Sequence, residues 1–177
     1  MDESPAGQIT FHCEPFSRHL VDEIEPLLIA HYREIAHYQD IPLAPDLGRY
    51  EGLSKADALR IFTVRVAGKL CGYGVFIVSL NLHYSTSRQS AQDILYVSPE
   101  YRGAGLGRKL LAYCDVMLAR EGVQMNAHHV KAAHPKLGEI LSAMGYEPME
   151  TVWVKRLDFP LATVHQFPVP THAEVVE

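Results

Sequence analysis

The chain has 177 residues, 47% of them hydrophobic and 21% charged, which suits one domain with a buried core and argues against disorder. Its net charge of −5 disfavours a basic nucleic-acid binder, leaving only the runs 102–109 and 131–136 as local basic patches. No apolar run approaches the ~20 residues of a membrane span, and Met1 to Gly7, acidic and without an apolar centre, does not read as a signal peptide.

Ile9 to Cys13 alternates enough to predict a first strand. Ser17 is placed to cap a helix whose apolar stripe is Leu20, Ile24, Leu27, Leu28, His31 and Ile35, with a kink or restart expected at Pro26. The Pro- and Gly-rich stretch 39–52 reads as a loop, with a short helix over Ser54 to Ala58. Arg60 to Val66 alternates, and Ala67-Gly68-Lys69 is a turn. Cys71 to Leu80 is a near-continuous apolar run, as in a central strand buried on both faces. The polar stretch Asn81 to Gln92 reads as a long loop of the kind that carries function. Asp93 to Val97 is a strand closed by Ser98-Pro99.

Leu106 to Glu121 is the clearest helix, because Leu106, Leu110, Tyr113, Cys114, Met117 and Leu118 share one face, and Gly122 stops it. A strand over Val123 to Val130, a helix from Lys136 to Met144 and a last strand within Tyr146 to Leu157 complete a domain core of about 9–157. The tail 158–177 is a packed arm or frayed. The order predicts one α/β domain with a mixed sheet and a parallel crossover over Asp93 to Val130. Cys13, Cys71 and Cys114 are widely spaced and odd in number, so they read as small buried residues of a reducing compartment; a cytoplasmic protein is expected.

The segment most charged with chemistry is Arg102-Gly103-Ala104-Gly105-Leu106-Gly107-Arg108, between a strand and a helix. Its glycines let the backbone turn sharply, and the helix start adds unpaired N–H donors and the positive end of the helix dipole, a seat for phosphate oxygens. A P-loop needs a Gly five residues after Gly103, where Arg108 stands. A dinucleotide fingerprint needs one three residues after Gly105, again Arg108, or after Gly107, where Leu110 stands.

The spacing Arg102, Gly105, Gly107 does resemble the R/Q-x-x-G-x-G/A pattern of the GNAT superfamily of N-acyltransferases. The preceding ILYVSPEYRG and the closing Ala143-Met144-Gly145-Tyr146 are similar to that family's strand exit and end pattern. The resemblance implies a mixed, twisted central sheet flanked by helices on both faces, and transfer of an acetyl group from acetyl-CoA, without a metal, to a small-molecule or protein amine. It implies that Arg102, Gly103, Ala104, Gly105, Leu106, Gly107 and Arg108 seat the pyrophosphate. It also implies that the strand Leu95, Tyr96, Val97 bonds the pantetheine arm through its backbone, with the Val97 N–H a candidate oxyanion donor.

Asp93 is the preferred base or amine anchor and is expected to share a face with Leu95 and Val97. His83 and Tyr84 lie in the loop that borders the acceptor site by family position. Arg18, Tyr32, His37 and Tyr38 lie on or after the first helix, which by the same resemblance helps wall the acceptor pocket; a mainly structural role is expected of each. Where many members carry an acidic tyrosine, four residues before Gly145, this chain has Leu141, so Ser142, Tyr113 and His134 are the substitutes to consider. His128, His129 and His134 match no standard metal spacing. Two other classes stay open: a non-catalytic coenzyme A-binding or partner-binding module, and a nucleic-acid base-modifying relative. The tail leaves room for a homodimer.

Overall fold

The computed structural model describes residues 7–38 and 40–157. Five strands form one mixed sheet in sequence order: β1 (Ile9–Glu14), β2 (Leu59–Val66), β3 (Lys69–Leu80), β4 (Arg88–Val97) and β5 (Met125–Ala127). The first four pair antiparallel and β5 joins β4 in parallel, after a crossover through α3 (Leu106–Arg120). Helices α1 (Arg18–Ile35) and α2 (Leu47–Lys55) precede β2, and α4 (Lys136–Ser142) follows β5.

The sheet buries both faces, as the apolar run of β3 requires. On one face Phe62, Val64, Phe76 and Val78 pack against Leu106, Leu110, Cys114 and Leu118, the stripe of α3. On the other, Leu59, Ile61, Tyr73, Val75 and Tyr96 pack against Leu20, Ile24 and Leu27 of α1 and Tyr50 and Leu53 of α2. Ser17 caps α1 by accepting from the Leu20 N–H at 3.1 Å, and the helix runs through Pro26 without restarting. A charged cluster locks its start to the sheet: Arg65 reaches both Glu23 of α1 and Glu14 of β1.

Several boundaries differ from the sequence reading. The segment expected as a loop to Gln92 is strand from Arg88, because residues 88–92 pair with the end of β3 on one side and residues 89–91 pair with β5 on the other. Its polar side chains are satisfied within the fold, as with the buried Ser90 hydroxyl, which donates to Asn126 Oδ1 at 2.8 Å. The short helix expected over 54–58 lies earlier, at Leu47–Lys55, capped by Asp46. No strand forms among the described residues after Ala127; 146–157 is irregular, with Met149, Val152, Trp153, Val154 and Leu157 exposed. Cys71 and Cys114 are buried, but Cys13 is exposed; all three are free thiols. The tail 158–177 lies outside the described residues.

One irregularity governs the site. Along β3 and β4, Val75 lies opposite Ile94 but Phe76 lies opposite Gln92, so Asp93 is an extra residue without a partner, a β-bulge. The bulge inverts the expected orientation of Asp93. Gln92 and Leu95 belong to the α3 face, whereas Asp93 bonds Tyr50 of α2, on the face it shares with Ile94 and Tyr96.

Candidate active site

β4 and β5 stay paired for only three registers, from Gln89 opposite Met125 to Ala91 opposite Ala127. Beyond these the strands part, and the β4 edge from Asp93 to Val97 opens into a fork. The Ser98 N–H bonds Cys71 O at 2.8 Å, and antiparallel bonding alternates. Tyr96 and Ile94 therefore turn their backbone groups to β3, while Leu95 and Val97 turn theirs into the fork. Tyr96 contributes its ring instead, tilted against His31 at 4.9 Å between centroids and covered by the Arg102 guanidinium.

The fork runs into the glycine-rich turn. Gly103 and Gly105 hold φ of +97° and +74°, in open space where an added Cβ meets nothing within 4 Å. The backbone conformation selects glycine here, rather than crowding. The N–H groups of Gly103, Ala104, Gly105, Leu106, Gly107 and Arg108 find no acceptor among the described residues; the first bond of the helix is Lys109 N–H to Gly105 O. Six neighbouring free amides at a helix start form a concave donor surface, which fits a pyrophosphate. Arg102 is otherwise engaged. Its N–H bonds Pro99 O, its Nε bonds Val97 O at 2.8 Å, and both terminal nitrogens pair with Glu34 at 2.8 Å, holding that carboxyl below its usual range. Arg102 therefore fixes the turn to α1, and the Arg108 guanidinium likewise reaches Ala143 O at 3.2 Å.

A side-chain network closes the crotch of the fork on the α3 face. His128 Nδ1 lies 2.6 Å from Gln92 Oε1, and its Nε2 lies 3.2 Å from both the Asn126 amide and the Tyr146 hydroxyl. Tyr146 and Asn126 both donate to Asp115 of α3. Burial pushes the His128 imidazole down to about 4, so the neutral ring donates from Nδ1 and accepts at Nε2. The spacing of His128, His129 and His134 gave no hint of this use, and Asp115, beside an apolar stripe, was the unread signal.

On the opposite face a cavity of about 860 Å³ opens under α1, floored by Ile61, Tyr73, Val75 and Ile94 and walled by α1, Tyr50 and the 36–47 connection. Tyr50 donates to Asp93, which raises its phenol after burial has done so. Arg18, Tyr32, His37 and Tyr38 line this cavity, as does His31, whose imidazole burial lowers to about 4. His83 and Tyr84 are not brought here. They form the tip of the β3–β4 hairpin, where Asn81 Oδ1 accepts from both their N–H groups. The bulge is on the order of 15 Å along the strand from that tip. Among the substitute acids, Tyr113 packs on Phe11 and Phe62 beneath α3, and Ser142 and His134 are exposed. Leu141 is buried as a packing residue.

No helix of the described residues is long and apolar enough to cross a membrane. A search of curated proteins by sequence gives no match. Solved structures show the same fold. An aminoglycoside acetyltransferase from an uncultured soil metagenomic sample superposes with a TM-score of 0.68 at 12% identity, over 84% of this chain and 96% of that one. A ribosomal-protein-alanine N-acetyltransferase from Brucella melitensis biovar Abortus 2308 gives 0.65 at 17% identity, over 84% and 99%. The aminoglycoside acetyltransferase AAC(6')-Iy, solved with a bisubstrate analogue of coenzyme A, gives 0.64 at 17% identity, over 84% and 97%. At these identities the likeness speaks for the fold alone. Residues 57–148, more than half of the chain and including the hairpin, the fork and the glycine-rich turn, match the family described as "Acetyltransferase (GNAT) domain", and the chain belongs to that family.

Proposed function

We propose that the protein transfers an acetyl group from acetyl-CoA to a primary amine while both are bound, and that it does so in the cytoplasm. The observation that carries this reading is the continuity of the fork with the row of free amides from Gly103 to Arg108. An extended amide chain ending in a pyrophosphate matches that surface: the fork-facing groups of Leu95 and the Val97 N–H for the arm, turn amides for the phosphates.

In this reading the Asp93 carboxylate takes the proton of the attacking amine, directly or through a water, and Tyr50 holds it in place. The new C–N bond forms as a fork-facing N–H of Leu95 or Val97 stabilises the oxyanion, and the C–S bond then breaks. An alkyl thiolate is a weak enough base to leave without a dedicated acid, and it takes its proton from water. That fits a buried Leu141 and a Tyr146 hydroxyl already given to Asp115. The acceptor reaches Asp93 from the α1 side, because the bulge turns Asp93 that way.

The test is calorimetric titration with acetyl-CoA, followed by thiol release across a panel of primary amines. Micromolar binding of acetyl-CoA and amine-dependent release are expected. Absence of binding at millimolar acetyl-CoA removes the reading. Binding with only slow hydrolysis against every amine leaves a coenzyme-binding module.

A further inference from the structure

The Tyr73 side chain is fully buried at 0% exposure, lines the cavity under α1, and its hydroxyl has no hydrogen-bond partner among the described residues. A buried hydroxyl without a partner costs stability, and at a cavity wall a small side-chain shift would open it to a ligand that satisfies it. The floor around it is apolar, with Leu20, Ile61 and Val75 buried and Ile94 bordering them, and the Tyr32 and Tyr50 hydroxyls on the wall are already given to Ile41 O and Asp93. The lining charges Arg18, Asp22, Glu25 and Lys131 are all exposed at the rim. A polyhydroxylated polycation would strand its hydroxyls and ammonium groups against this wall.

Resting on the acetyl-transfer reading, we propose that the acceptor is a primary amine on an apolar aliphatic or aromatic body, with its nitrogen hydrogen-bonded to the Tyr73 hydroxyl beside Asp93. The body lies between the sheet and α1, in a cavity of the size that encloses a small organic molecule. The Tyr73 phenol, raised by burial and then by Tyr50 and Asp93, stays protonated; its oxygen accepts one amine N–H while Asp93 takes the proton that leaves. Tyr73 thus orients the nitrogen so that its lone pair faces the thioester.

Thiol release is measured with a series of n-alkylamines and ω-phenylalkylamines, a linear polyamine and an aminoglycoside, after acetyl-CoA binding has been established by calorimetry. The expected kcat/KM rises about fourfold per added methylene until the cavity is filled, with the polyamine and the aminoglycoside at least about tenfold below the best apolar amine. Tyr73→Phe should fold with an equal or higher Tm and bind acetyl-CoA within about twofold, while the amine KM rises up to about tenfold. Leu28→Gln, on the partly exposed wall, should flatten the chain-length dependence.

A flat series, a preference for the polyamine or aminoglycoside, or an unchanged amine KM in Tyr73→Phe overturns the proposal. So does a gain from lengthening the acyl chain of the coenzyme in place of the amine. Acetyl-CoA binding without turnover of any amine overturns it too and leaves the coenzyme seat standing. Failure of acetyl-CoA to bind removes the transferase reading itself.

Discussion

The turn that opens α3 and the cavity under α1 both adjoin β4 but are built in opposite ways. The turn is one continuous run, Gly103 to Arg108, and its working groups are backbone amides set by two left-handed glycines. The cavity takes side chains from α1, residues 41–45, α2 and three strands, and in the acceptor proposal its working group is a single phenol. A backbone seat tolerates change in any side chain that leaves φ alone. A side-chain pocket changes its ligand with each substitution. In the proposed reading, one half of the molecule serves an invariant ligand and the other a variable one.

The largest expected effect breaks the turn. Gly105→Val forces a β-branched residue into φ +74°, at a cost of roughly 1–2 kcal/mol, and disperses the amides that converge there. Acetyl-CoA binding should weaken at least about a hundredfold, the loss of roughly two charge-assisted hydrogen bonds. Unchanged thermal stabilisation by acetyl-CoA refutes the seat. Gly107→Ala sharpens the same point. Its φ is ordinary and its new Cβ meets only Val97 Cγ2, at 4.0 Å. Stability should hold while coenzyme affinity falls, which separates ligand approach from backbone strain.

Next comes the junction between the halves. Asp93→Asn should lower kcat by about a hundredfold or more, the usual contribution of a positioned base, with acetyl-CoA affinity changed less than about twofold. Normal turnover across the neutral range removes Asp93 as base. Tyr50→Phe, which deletes the phenol bonded to Asp93, should cost less and act on kcat alone.

How these parts stood in the sequence follows the same division. Glycine spacing and the stripe of α3 are local, so the turn and its helix could be read within a residue of their observed ends. The direction of Asp93 could not, because a bulge is an event of pairing: the extra residue exists only relative to β3. Period-two reasoning put Asp93 with Leu95, one residue out of phase. Residues 88–92 look like a loop because the partners of their polar side chains lie far off in sequence, such as Asn126 for Ser90 and His128 for Gln92. Val152 and Val154 show strand alternation, but alternation needs an edge to pair with, and no described residue pairs there. Tyr73 was one apolar letter in an apolar strand; that its hydroxyl lacks a partner is visible only once the cavity is assembled.

A smaller effect tests the closure of the fork. Asp115→Ala leaves the Tyr146 hydroxyl and the Asn126 amide without their shared acceptor, which should cost about 2 kcal/mol in denaturant unfolding. Hydrogen exchange should quicken at β5 before α1. A uniform loss over both faces would show that the two halves unfold as one unit, against the separation drawn above.

The smallest expected effect uses acid to address each half by its own histidine. His31 lies against Tyr96 at the cavity and His128 against Gln92 at the fork, and burial lowers both to about 4. An unfolded histidine titrates near 6.5. Between these values the unfolded chain binds protons that the native one refuses, so stability falls as pH drops from about 6.5 toward 4 and levels off below. Because both rings keep some access to solvent, each contribution should be on the order of 1 kcal/mol. His31→Phe keeps a ring on Tyr96 and removes one titration; it should slow acid-induced exchange in α1 and leave the fork as it was. His128→Gln keeps a hydrogen-bonding side chain beside Gln92 and should do the reverse. An acid slope that neither substitution reduces would assign the pH dependence to other groups, and the two halves would lose their separate histidine controls.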